Sequence, residues 1–283
     1  MTYTAGIDIG STYTKAIVLS HDSEIVGRAM ENTGFKLAQV SDGVFRKAVA
    51  EAGLGPDDIS YIIATGYGRH QALFSDMTVT DLTASARGAK FLFPNTRTLL
   101  DVGGQTMKAS RLDEMARVKS FRLNDKCAAG TGAFLEKTAR YMGYSTEEIG
   151  PLAAVSKERV PISGVCAVFA ESEVINQLSK GCPPGDIMFG AIVSLVERSV
   201  QLMKRVHMEA EFTLIGGILR FQTMAEVIRE KLGTDVNVPE GDLPQYTAAL
   251  GAAILSHYRL RKLQEEGQLA DARGLRAGSG KTG

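Results

Sequence analysis

The chain has no tryptophan, only three cysteines and four histidines in 283 residues, and no excess of either charge, with 32 Lys and Arg against 32 Asp and Glu. Each scarcity excludes something. Balanced charge removes the long-range field that gathers a polyanionic partner, so neither nucleic acid nor a membrane surface is expected. No apolar stretch reaches the roughly 20 residues of a membrane-spanning helix. The N-terminal stretch runs straight into a strand pattern carrying Asp8 instead of a basic leader, so a cytoplasmic location is expected. The cysteines, Cys127, Cys166 and Cys182, are odd in number and widely spaced, unlike a secreted disulfide framework, which leaves reduced thiols or metal ligands. His21, His70, His207 and His257 have no ligand spacing, which argues against zinc.

What is present is apolar periodicity, in a chain whose 44% hydrophobic content suffices for two modest lobes. Residues 2–10 alternate as a strand, and 15–20 and 24–30 continue an antiparallel meander. A helix over 37–54, a buried strand over 59–65 and a helix over 80–93 closed by Pro94 complete one β-β-β-α-β-α unit. The pattern then restarts, with strands over 96–102, 106–112 and 117–123. Helices follow over 133–142, 168–180 and 186–207, then a strand over 212–217 and helices over 219–232 and 245–263. The expected organisation is a first lobe over 1–94, a larger second lobe over 95–250, a closing helix over 251–269, and a Gly-, Ala- and Arg-rich tail over 270–283, disordered. Gly278-Ser-Gly-Lys-Thr282 in that tail is not a phosphate-binding loop, because Leu275 stands where the motif needs its first glycine.

The two starts superpose. Asp8-Ile-Gly-Ser-Thr-Tyr-Thr-Lys15 and Asp101-Val-Gly-Gly-Gln-Thr-Met-Lys108 share an Asp, a Gly two places on and a Lys seven places on, each after an apolar strand. This is an internal repeat. A strand that ends in such a turn presents backbone N–H groups to phosphate oxygens, and Gly10, Gly103 and Gly104 let the backbone come close. Ser11, Thr12 and Thr106 add hydroxyl donors and Lys15 a cation, while Asp8 and Asp101 can hold the waters of a bound Mg2+. A lone copy would be read as an ordinary hairpin turn; two copies point to a nucleotide. A third glycine pair, Gly216-Gly217, follows an apolar strand, where backbone can lie flat against an adenosine or simply turn from strand to helix.

These three elements, in this order, resemble the phosphate loops and adenosine motif of the actin, sugar-kinase and heat-shock-chaperone ATPase superfamily. That resemblance implies an α/β, duplicated actin-like (ribonuclease H-like) fold with ATP in the cleft between two lobes. It sharpens at Asn124-Asp-Lys-Cys-Ala-Ala-Gly-Thr-Gly132 and Cys166-Ala-Val-Phe-Ala-Glu-Ser-Glu-Val-Ile-Asn-Gln-Leu-Ser-Lys-Gly181. Both look like the cluster-binding segments of the activators of 2-hydroxyacyl-CoA dehydratases and the ATPase subunits of benzoyl-CoA reductases. Thr65-Gly-Tyr-Gly-Arg69 and Pro244-Gln-Tyr-Thr-Ala-Ala-Leu-Gly-Ala-Ala253 fit that family too. Ile218-Leu219-Arg220 depart from it, standing where small polar residues are expected.

The resemblance implies that Cys127 and Cys166 ligate one 4Fe-4S cluster shared with a second copy or a paralogous subunit, four thiolates in all. It implies a ferredoxin or flavodoxin as electron donor and an iron-sulfur acyl-CoA dehydratase or reductase as acceptor, with ATP hydrolysed by a water near Asp101 and Gln105, Asp8 assisting, and Gln245 beside the nucleotide. Helices starting after each cysteine would favour an anionic cluster through their N-termini. Cys182 matches no ligand position. The rival reading is a small-molecule, N-acetylglucosamine-type kinase with Asp125 as base, although nothing in the chain reads as a sugar pocket. A regulatory or cytoskeletal ATPase would leave the two cysteine segments unexplained.

Overall fold

The computed structural model describes residues 2–124, 130–162 and 167–268. Cys127, Cys166, Asp125 and the tail over 270–283 lie outside them. The described residues form two compact units, one of residues 2–94 and 246–268, the other of those between 95 and 245.

The first unit opens with the meander β1 (Tyr3–Ile9), β2 (Tyr13–Leu19) and β3 (Ile25–Asn32), followed by α1 (Leu37–Glu51), β4 (Ile59–Thr65), β5 (Met77–Thr78) and α2 (Asp81–Leu92). The sheet order is β3-β2-β1-β4-β5, with β1 antiparallel to β2 and parallel to β4. The central strand Tyr-Thr-Ala-Gly-Ile-Asp-Ile is buried on both faces, so that even Thr4 and Asp8, the polar members of its alternating pattern, lie inside. α1 covers one face: Val44, Phe45, Ala48 and Val49 join Ile7, Ile9, Ala16 and Val18 in one core.

The second unit repeats the meander as β6 (Thr98–Val102), β7 (Met107–Leu112) and β8 (Val118–Asn124). Then come α3 (Gly132–Tyr141), α4 (Ile149–Ala154), α5 (Ala167–Ser179) and α6 (Pro184–Lys204), and after these β9 (Phe212–Ile215), α7 (Gln222–Leu232) and β10 (Val236–Asn237). The sheet order is β10-β9-β6-β7-β8, the first sheet's order element for element. The larger core belongs here. Fully buried Phe134, Leu135, Ile187, Ile192, Leu195 and Met224 pack with Leu100, Val102 and Met107, and truncating a residue such as Phe134 to alanine should cost about 3–5 kcal/mol.

α8 (Leu243–Glu265) extends the helix expected over 245–263 at both ends, and residues 246 onward pack within the first unit. Its Tyr246, Ala249, Leu250, Ala253 and Ile254 bury against Ile17 and Leu19. A methyl at Gly251 would overlap the Ala84 carbonyl of α2, so the Ala- and Gly-rich stretch of α8 serves close helix packing.

Candidate nucleotide loops and cysteine segments

β1 and β2 are joined by a tight turn over Gly10, Ser11 and Thr12, closed by the Gly10 N–H donating to the Tyr13 carbonyl at 3.1 Å. Asp8 faces Lys15 across the ladder, and Lys15 Nζ reaches Asp8 Oδ2 at 3.0 Å with the two side chains 14% and 11% exposed. Lys15 is thus paired within the chain and also lies 3.4 Å from where a Gly10 methyl would stand. Thr33, just past β3, pins the loop: its N–H donates to the Thr12 carbonyl at 2.9 Å and its hydroxyl to the Gly10 carbonyl at 2.8 Å. With these carbonyls engaged, Ser11, exposed, and Thr12, half-buried, offer donors to an anion.

The second hairpin has the same build. Asp101 faces Lys108, the pair is 3.4 Å apart, and the Gly103 N–H donates to the Thr106 carbonyl at 2.9 Å. Lys108 therefore holds the place that Lys15 holds in the first loop, a role legible in the repeat itself. Gln105 is exposed at the tip, and Gly104 and Thr106 are half-buried. The loop carbonyls, however, are held by a helix. The Gly132 N–H donates to Gly103 at 2.9 Å and the Ala133 N–H to Gly104 at 2.7 Å. These are first-turn amides of α3, which have no partner inside their own helix. At α3, then, the N-terminal amides expected to face an anionic cluster are engaged by the carbonyls of the second hairpin loop.

A third element recurs in both units. β4 ends beside Asp8 in register at Thr65, and β9 ends beside Asp101 at Ile215. Each is followed by a glycine of positive φ, Gly66 at 88° and Gly216 at 98°. A methyl at Gly216 would overlap the Val102 backbone, so this glycine is fixed by strand packing and conformation, with its N–H on the Pro244 carbonyl at 2.8 Å. Gly217 is open instead: among the described residues a methyl there would have only Gln245 Oε1 near it, at 3.9 Å. The structure thus brings Gly217 and Gln245 together. A 3-10 turn over Gly217–Arg220 replaces the start of the expected helix and drives Ile218 and Leu219, 4% and 1% exposed, into the core, which explains why those two positions are not small and polar.

α5 begins immediately after Cys166, and α3 begins at Gly132, five positions after Cys127. The helices are tied by Lys137 Nζ on Glu171 Oε1 at 2.7 Å, which holds the Lys137 ammonium above its usual range, and by Tyr141 Oη on Glu171 Oε2 at 3.3 Å. Neither helix carries an acidic residue in its first turn. The two thiols suit an iron-sulfur cluster in donor chemistry, and with no carboxylate in its first turn α5 keeps the partial positive charge of its N-terminus without a negative side chain in that turn to repel an anionic group. Cys182 is half-buried against the core, its Sγ 3.3 Å from Gln177 Oε1. Among the described residues no group of three or more His, Cys, Asp or Glu is placed to hold a metal, and no helix is long and apolar enough to cross a membrane.

Two sheets of one topology, each ending its central strand in an Asp–Lys hairpin, define an actin-like ATPase fold. The chain belongs to the BadF/BadG/BcrA/BcrD ATPase family, which it matches over residues 5–256. It is 40% identical over 263 residues to the activator of lactoyl-CoA dehydratase of Anaerotignum propionicum, covering 92% of this chain and 99% of that one. It is 34% identical over 280 residues to one of the subunits of benzoyl-CoA reductase of Thauera aromatica, covering 95% and 98%. The solved activator of the 2-hydroxyisocaproyl-CoA dehydratase from Clostridium difficile, with bound ADPNP, superposes with a TM-score of 0.88 at 36% identity, covering 94% of this chain and 98% of that one. A ROK family glucokinase from Streptomyces griseus, at 13% identity and a TM-score of 0.58, shares the fold alone.

Proposed function

We propose that this protein is an ATP-dependent electron-transfer activator, passing low-potential electrons to a 2-hydroxyacyl-CoA dehydratase or benzoyl-CoA reductase component. The observation that carries the reading is the hydrogen bonding of α3 to the second phosphate loop, Gly132 to Gly103 and Ala133 to Gly104. One short stretch of chain runs from a candidate thiolate ligand, Cys127, into a helix whose first turn is bonded to a candidate phosphate loop. A small-molecule kinase would leave Cys127 and Cys166 without a role. The names of the relatives point the same way, to dehydratase activation and aryl-CoA reduction.

In this reading the backbone of Gly10, Gly103 and Gly104, with Ser11, Thr12 and Thr106, binds the phosphates of ATP, and Gly217 and Gln245 meet the nucleoside. Asp8 and Asp101 offer hard oxygen donors suited to the waters of Mg2+. Hydrolysis is attack of water on the γ-phosphorus with departure of ADP; Asp101 and Gln105 orient that water. Cys127 and Cys166 from each of two copies, or of one copy and a paralogue, would hold a 4Fe-4S cluster, which when bound supplies a one-electron couple. A ferredoxin or flavodoxin is the donor. Glu171, held by Lys137 and Tyr141, keeps the two helices that follow the cysteines in fixed register.

Anaerobic purification tests this directly. Brown protein containing about four irons per dimer, with ATPase activity, is expected. Colourless, iron-free protein that still hydrolyses ATP would leave an ATPase without the redox function.

A further inference from the structure

Asp8 serves the proposed mechanism through its carboxylate, whose direction must be set by its surroundings. Lys15 takes Oδ2 at 3.0 Å. The other oxygen, Oδ1, lies against the Cα of Gly66, so closely that a methyl there would overlap it as well as the Ile9 carbonyl. Gly66 is buried, follows β4 where Thr65 pairs with Asp8, and has φ of 88°, a conformation that side-chain-bearing residues disfavour. The turn is held in place from two sides. Gly68 donates its N–H to the Ile9 carbonyl at 2.9 Å, while Arg69 reaches back to the Gly66 carbonyl with its N–H at 3.4 Å and its guanidinium Nη1 at 3.2 Å.

The equivalent glycine of the second unit does something different. Gly216 occupies the same place after β9, but the three atoms that a methyl there would meet first all belong to the backbone of Val102. One device is present twice, and in the first unit the atom nearest such a methyl is an oxygen of Asp8.

We propose that Gly66 and Arg69 are positioning residues for Asp8: Gly66 supplies the gap that Oδ1 occupies, and Arg69 fixes the turn that holds Gly66 there. This rests on the reading of Asp8 as a holder of the waters of Mg2+. With Oδ2 committed to Lys15, Oδ1 is the oxygen that remains for such a water, and its direction is set by a wall with no side chain. A group displaced by as little as an ångström loses much of its catalytic value. The part played by Gly66 is therefore geometric, and Tyr67, 78% exposed between two buried glycines, takes no part in it.

The test measures binding of a fluorescent ATP analogue to the full-length protein as a function of Mg2+, beside steady-state ATPase kinetics. Gly66→Ala should raise the Mg2+ needed for half-maximal binding at least tenfold and lower kcat at least tenfold, with KM for ATP within threefold of wild type. Arg69→Ala should shift both in the same direction by several-fold, and Arg69→Lys, which can still donate to the Gly66 carbonyl, should recover most of the loss. A general loss of folding would lower active protein without moving the Mg2+ midpoint. Should Gly66→Ala fail to fold, the Arg69 pair decides. Asp8→Asn separates the two levels: if it shifts the Mg2+ midpoint while the Gly66 and Arg69 variants match wild type, the positioning role is overturned and the role of Asp8 stands. If Asp8→Asn leaves the midpoint unmoved, both fall.

Discussion

The Ala133 amide donates to the Gly104 carbonyl at 2.7 Å, joining the first turn of α3 to the second Asp–Lys hairpin, the candidate phosphate loop. Any ligand that reshapes residues 103–106 must either carry this amide along or break the bond. If α3 also reports on what Cys127 holds, nucleotide state and redox state are linked, and the linkage is reciprocal. Redox titration of the anaerobic protein with ADP and with a non-hydrolysable ATP analogue should show midpoints at least about 60 mV apart, equivalent to about 1.4 kcal/mol for one electron. Equal midpoints would end the case for an ATP-gated donor.

Proline offers a sharper probe of the same bond. It lacks the N–H but is accepted in the first turn of a helix, so Ala133→Pro should delete the donor to Gly104 while leaving α3 intact. ATPase activity is expected to stay within a few-fold of wild type while the nucleotide-dependent difference in potential shrinks by more than half. An unchanged difference would show that the bond carries no coupling.

Asp101 sits at the end of β6 with Lys108 at 3.4 Å. Asp101→Asn should lower ATP hydrolysis by roughly two orders of magnitude or more, the scale of a positioned catalytic group, with nucleotide affinity falling much less. A rate within a few-fold of wild type removes Asp101 from the mechanism.

The thiols divide cleanly in expectation. Cys127→Ala or Cys166→Ala should each abolish iron binding, whereas Cys182→Ala, at a site packed beside Gln177, should retain it. Iron analysis of the three variants decides, and four irons per monomer would exclude a shared cluster.

Acid stability depends on a carboxylate far from these loops in sequence. Asp186, 5% exposed, accepts the N–H of Lys157 at 2.7 Å, that of Glu158 at 3.1 Å and the Ser156 hydroxyl at 2.9 Å. The backbone bonds from Glu158 and Lys157 are the main reason its carboxyl lies below the usual range. A depressed folded-state pKa stabilises above the unfolded value and loses that contribution as pH falls through the folded one. Thermal melts of wild type and Asp186→Asn should therefore differ most near neutrality and converge as the pH drops below about 4. A gap independent of pH would contradict this.

Much of this was legible in the sequence because the repeat is literal. Asp8 and Lys15, like Asp101 and Lys108, are seven apart on strands that turn tightly, so the ladder must set each pair face to face. The strand over 59–65 and the starts of most helices follow from periodicity and punctuation alone. Two-residue strands such as β5 and β10 show no period, and α4, six residues interrupted by Gly150 and Pro151, has too few turns to show one. The part played by Gly66 was hidden for another reason: a glycine after a strand reads as a turn, and only the folded chain reveals that a carboxylate oxygen fills the space beside it. The anchoring of the second loop by α3 is a contact between residues some thirty apart, which no local pattern encodes.

Thr33 and α3 hold the two Asp–Lys hairpin loops by different means, and amide hydrogen exchange should register the difference. The first loop is fastened to residue 33 at the edge of the sheet, so its protection should follow the slow opening of β1–β3. The second is fastened to the end of a helix, where fraying requires far less disruption. Two hairpins of nearly the same geometry would then open at different rates, with the amides of Gly132 and Ala133 timing the second. A nucleotide that tightens residues 103–106 should slow those two amides before it slows any others in α3.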